Sequence, residues 1–164
     1  MRLLRPGAGA QPRAISLSVM VTQKSSRAVG VGRVLIAVYA VLALAATGRS
    51  VFQILEQFDE APLAYTLSAL AAVVYIVATV SLIRRGRTSY AVAWATISFE
   101  LAGVLIVGLV TVLDPELFPD DTVWSWFGRG YGFVPLVLPV LGILWLLRSR
   151  PAVAAEADAA DRTE

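Results

Sequence analysis

Residues 90–113, YAVAWATISFELAGVLIVGLVTVL, decide the fold. At about 1.5 Å per residue, a helix over this run exceeds the roughly 30 Å hydrocarbon core of a bilayer. A single charged residue interrupts it: Glu100, the eleventh of the run and therefore close to its middle. Charge at that depth is costly, so it usually faces protein or water and often marks function. Glu100 is thus the first candidate functional residue.

Three further runs of similar character surround it. The first, over 34–55, reads VLIAVYAVLALAATG, then Arg49, then SVFQIL. The second, over 62–83, opens on Pro62, which suits the first position of a helix. Ala64, Ser68 and Ala72 lie four apart on it, a stripe of small residues suited to close helix packing. The 90–113 run is closed by Asp114-Pro115. The fourth run, over 131–147, contains Pro135 and Pro139, which predict a kink that neighbours or water must re-satisfy. Of all residues 57% are apolar and 16% charged, with mean hydropathy +0.71. A soluble domain averages about 45–50% apolar and about 25% charged. The expected fold is all-α: an integral membrane four-helix bundle over 33–148. Residues 1–32 and 149–164 are expected as disordered tails, with Met20 a second candidate start beside Met1.

Arginine placement sets the expected orientation. Arg2, Arg5, Arg13, Lys24, Arg27 and Arg33 precede the first run, Arg84, Arg85 and Arg87 join the second and third, and Arg148 and Arg150 follow the fourth. The opposite side carries Glu56, Asp59, Glu60, Asp114, Glu116, Asp120 and Asp121, with only Arg49 and Arg129. The positive-inside rule then places both termini in the cytoplasm and the acidic connections outside. Topology and anionic lipid account for these basic flanks, so nucleic acid is not an expected partner.

The chain has no cysteine and no histidine. Disulfides, zinc and iron–sulfur sites, histidine-ligated haem and Ser–His–Asp catalysis are excluded. No nucleophile–base pair or metal-binding carboxylate set is visible, and no cofactor is expected. For Glu100 two readings stand side by side. It is a relay for protons or cations, or a contact to a ligand headgroup. Otherwise it is a hydrogen-bonded joint between helices, to Thr96, Ser98 or a serine on another span. Arg49 is its candidate partner: on a first helix continued to Leu55 it lies about 7 Å outward of the midplane, and its side chain leans inward. The competing reading makes Arg49 a cap at the end of a helix stopping near Gly48.

The longest connection, DPELFPDDTVWSWFGRGYGF over 114–133, offers Trp124, Trp126, Arg129 and Tyr131 as a candidate contact for lipid or a partner. Such rings favour the headgroup region. Its acidic residues do not follow the EF-hand pattern, and Gly128-Arg129-Gly130-Tyr131-Gly132 lacks phosphate-loop spacing and has no strand before it.

The segments ALAATGRSVFQ (43–53), DEAPLAYTLSALAAVVY (59–75), Phe99-Glu100 and FPDDTVWSWFGRGYGFVPLVLPVLGILWL (118–146) resemble a family of small actinobacterial integral membrane proteins of unassigned function. The resemblance covers about 33–148. It implies a plasma-membrane location and an envelope-associated role, and brings no catalytic residues. The expectation is a non-enzymatic membrane component, self-associating or part of a larger complex, with the small-residue stripe and the aromatic connection as contact surfaces. The alternative is a small oligomeric transporter or proton-coupled carrier centred on Glu100.

Overall fold

The structure, a computed structural model, describes residues 12–84 and 86–161, with side chains described over 30–84 and 86–149. Four helices follow one another: α1 (Pro12–Glu56), α2 (Pro62–Ile83), α3 (Arg87–Leu113) and α4 (Val134–Asp161). No strand occurs among the described residues. Three helical stretches, Gly30–Glu56, Pro62–Ile83 and Arg87–Leu113, are long and apolar enough to cross a membrane. A fourth arises if the bent pair Ser125–Tyr131 and Val134–Ser149 counts as one span. The chain is therefore an all-helical, multi-pass membrane protein by length and composition.

Helix ends follow local chemistry. Pro62 starts α2, where its missing N–H would be unbonded in any residue. Gly86, at φ +113°, lets the chain turn into α3, and Asp114-Pro115 ends that helix. α1 has no proline between Pro12 and Glu56, so nothing halts a helix once it has nucleated. It accordingly runs back through 12–32, a segment read from the sequence as a disordered tail. α4 likewise continues to Asp161 through an alanine-rich stretch of high helix propensity. Residues 1–11 and 162–164 and Arg85, which the sequence reading also covered, lie outside the described residues.

α1 packs on α2, α2 on α3 and α3 on α4, and α4 closes back onto α1. The buried positions recur at helical spacing: Leu35, Tyr39, Leu42, Ala46, Ser50 and Gln53 on α1, and Ala93, Ile97, Glu100, Val104, Val107 and Thr111 on α3. On α2 the stripe Ala64, Ser68 and Ala72 is buried within the chain, together with Ala71, Tyr75 and Ala78. It is thereby spent on intramolecular packing and is not a surface for self-association.

The polarity of the molecule is inverted relative to a soluble domain. Large aliphatic side chains such as Leu44 (76% exposed), Ile83, Ile106 and Leu113 face outward, while alanines, tyrosines and Glu100 fill the centre. Lipid is as apolar as leucine, so burial of leucine gains nothing between spans. Association instead rests on close packing of small residues and on interhelical hydrogen bonds. At the end of the molecule away from the long connection, Tyr90 on α3 donates to the Leu146 carbonyl on α4 at 3.0 Å, and the Trp145 ring lies against Gly32 of α1.

Candidate functional site

Glu100 has no exposed surface, and Tyr39, which bonds to it, is met from α2 and α4. Its helix position follows from the four–three spacing of the inward face of α3. From α1, the Tyr39 hydroxyl donates to Glu100 Oε2 at 2.7 Å. From α2, the Tyr75 ring sits 6.3 Å from that of Tyr39, tilted by 48°. From α4, Gly142 lies close enough that a Cβ there would come within 3.7 Å of the Tyr39 hydroxyl. The other carboxyl oxygen, Oε1, has no hydrogen-bond partner among the described residues. Glu100 thus bonds across helices, to Tyr39 rather than to Thr96, Ser98 or a serine on another span. A mid-span tyrosine carries a phenolic O–H that needs an acceptor when buried, and that signal was present in the α1 sequence.

Arg49 and Glu100 are not brought together. Arg49 donates from Nη2 to the Asp121 carbonyl at 2.7 Å and from Nε to Gln53 Oε1 at 3.2 Å. Its Nη2 also lies 3.7 Å from Asp120 Oδ2, which accepts from Gln53 Nε2 at 2.9 Å. The helix runs on to Glu56, as the pairing required, yet the guanidinium turns the opposite way. A long cationic side chain near a span's end gains by reaching toward the polar boundary, where the 120–121 backbone and a carboxylate meet it.

The connection between α3 and α4 covers this end of the molecule and is anchored at three places. Arg49 and Gln53 hold residues 120–121 to α1, as above. Next, Thr122 and Ser125 close a reciprocal turn. Thr122 Oγ1 accepts from the N–H groups of Trp124 and Ser125 at 3.0 and 2.9 Å, and Ser125 Oγ accepts from the Thr122 N–H at 2.9 Å. That turn aims Trp124 inward, where it is 2% exposed. Its indole lies on Gly103 of α3, where an added Cβ would come within 2.8 Å of the ring. It meets Phe99 edge-on at 6.4 Å and donates from Nε1 to the Tyr75 hydroxyl at 3.1 Å. Trp124 is therefore not an exposed contact, contrary to its candidate role.

Third, Trp126, Phe127 and Gly128 form a left-handed turn, with φ of 53°, 59° and 79°. For an L-residue this conformation costs roughly 1–2 kcal/mol. It places the Phe127 ring on Gly108 of α3 and Gly128 on Pro135 of α4. Gly132 and Phe133, also at φ +61°, then redirect the chain by 98° into α4, which begins at Val134 rather than Tyr131. Pro135 falls in the first turn of α4, and the helix is continuous through Pro139. Of the remaining candidates, Arg129 is exposed with its guanidinium carbon 5.4 Å from the centre of the half-buried Trp126 ring, and Tyr131 is half-buried.

An open cavity of about 440 Å³ lies at the same end, lined by Gln57, Glu60, Ala61, Tyr65, Pro119 and Asp120. Glu100 does not line it. Among the described residues no group of three or more acidic side chains is placed to hold a metal ion. The chain matches no known protein family, no curated protein and no solved structure.

Proposed function

We propose that this chain is a non-enzymatic, multi-pass protein of the plasma membrane, acting as a structural or accessory component of a membrane or envelope complex. In this reading it has four spans in a bundle, with both termini cytoplasmic. Arg33, Arg84, Arg87 and Arg148 then lie at the cytoplasmic end, and Asp59, Glu60, Asp114, Glu116, Asp120 and Asp121 outside. The observation that carries the accessory role is the sealing of Glu100. Its carboxyl is bonded to Tyr39 and has no exposed surface, as befits a tie between helices rather than a conducting group. Self-association or docking on a larger complex would use the outward aliphatic faces and the rim formed by exposed Arg129 over half-buried Trp126, since the α2 stripe is occupied. The bilayer itself is the other partner, and the resemblance to small actinobacterial membrane proteins agrees with an envelope setting.

The carrier centred on Glu100 is the second reading, and one observation favours it: Oε1 has no hydrogen-bond partner among the described residues. Reconstitution into liposomes holding a pH-sensitive dye separates the two. The accessory role expects no proton flux above empty liposomes under an imposed gradient, and a folded E100Q protein that still enters the same complex in mild detergent. Proton flux in the wild type that E100Q abolishes would establish the carrier instead.

A further inference from the structure

Trp124 reaches from the long connection into the buried polar centre, where it bonds to Tyr75. Its slot is made by sequence: residue 103 is glycine, and any Cβ there would collide with the indole. Gly103 stands three residues from Glu100, about 4.5 Å along the helix axis toward the connection. The indole, Tyr75 and Tyr39 form a chain of contacts ending on the Glu100 carboxyl, joined by the Trp124–Tyr75 hydrogen bond, the tilted Tyr75–Tyr39 ring contact and the Tyr39–Glu100 hydrogen bond. Two features set this plug apart from ordinary core packing. The backbone that follows it holds two bulky residues, Trp126 and Phe127, in the left-handed region, a conformation that persists only while surrounding contacts enforce it. Beyond it lies a fully buried carboxyl oxygen with capacity to accept a further hydrogen bond.

We propose that Trp124 is a removable plug, and that withdrawing it from the Gly103 slot opens Glu100 to water from the face of the protein bearing the 114–133 connection. The left-handed turn favours withdrawal, and the Thr122–Ser125 turn, the Tyr75 hydrogen bond and the Arg49 anchor oppose it. This goes beyond the accessory role and does not require transport, because access is measured without any flux.

The chain contains no cysteine, so a thiol placed at Val104 is unique. Val104 is fully buried and one turn from Glu100 on the same face of α3. The full-length V104C protein is reconstituted in liposomes and treated with a membrane-impermeant methanethiosulfonate from either side. With Trp124 in place, labelling is expected to be slow from both sides. W124A is expected to raise the rate at least tenfold from the connection side only, and W124F, which still fills much of the slot, by less. Y75F removes the hydrogen-bond acceptor while keeping the ring, and is expected to raise it several-fold; it decides the matter if W124A does not fold. A folded W124A protein whose thiol stays as protected as before, or is labelled equally from both sides, overturns the plug. An unchanged rate in folded Y75F does the same where W124A cannot be used.

Discussion

The two acid-bearing regions of this molecule solve the same problem in opposite ways. At the mouth, Arg49, Gln53, Asp120 and the Asp121 carbonyl form a polar cluster around partly exposed side chains, each charge having several partners. In the centre, Glu100 has one neutral hydrogen-bond partner among the described residues, Tyr39, and no exposed surface. Charges are matched by charges where water can help. Where it cannot, a neutral hydroxyl is less costly to bury than a second ion. The consequence is that stability should be concentrated in the aromatic centre, with the charged mouth contributing little.

The sharpest way to break that view is W124A. Truncating a buried tryptophan in a packed interior costs about 3–5 kcal/mol, and here it also leaves the Tyr75 hydroxyl without its donor. Thermal unfolding in mild detergent should show the largest loss of any variant considered. A loss no greater than that of an exposed aliphatic residue such as Leu44 would mean that the connection rests on the helices without holding them.

G108A is next. An added Cβ would lie 2.6 Å from the Phe127 ring and 2.8 Å from its backbone nitrogen. A ring can rotate aside, but the backbone of a left-handed turn cannot do so cheaply. Overpacking of this kind typically costs about 1–3 kcal/mol. G48A is the control, because a Cβ there meets nothing within 4 Å. Its unfolding temperature should match or slightly exceed the wild type, alanine being the better helix former.

These glycines also explain how far the sequence could be read. The long apolar runs, Pro62 as a start and Asp114-Pro115 as a stop correspond closely to α2 and α3, because bilayer length and proline chemistry act locally. The central place of Glu100 was legible for the same reason. Its partner was not: Tyr39 is 61 residues away, and only the packing of α1 on α2 and α4 turns it toward α3. The aromatics of the connection read as interfacial because tryptophan usually is. What drew Trp124 inward was Gly103, and what seated Phe127 was Gly108, both inside a run already assigned to a helix and so easily passed over. Arg49 was assigned by its depth and by the N-terminal lean of helical side chains, but a long cationic side chain can swing the other way to reach a polar boundary, as it does toward residues 120–121.

Y39F tests the centre more gently. It removes the one side-chain donor to Glu100 among the described residues with little change of volume. Losing a buried hydrogen-bond partner costs about 1–3 kcal/mol in water-soluble proteins, whereas interhelical bonds in membranes average only about 0.6 kcal/mol. A double-mutant cycle with E100L separates the bond from the burden of the orphaned carboxyl. If the bond is the tie, E100L should cost less in the Y39F protein than in the wild type. Equal costs would show the two side chains to be neighbours without coupling.

R49A should have the smallest effect, and its smallness is what the comparison predicts. The guanidinium makes a good hydrogen bond to the Asp121 carbonyl, but its ion pair with Asp120 is long at 3.7 Å and both side chains are more than 30% exposed. Pairs of that kind contribute about 0.2–1 kcal/mol. Salt screens the ion pair, so any loss should shrink between about 0.01 and 1 M ionic strength as the Debye length falls from about 30 to 3 Å. The deficits of W124A and Y39F, which involve no exposed charge, should not change over that range. An R49A deficit as large as that of W124A and insensitive to salt would place the anchor of the connection at the mouth, and would make the aromatic centre the dependent region.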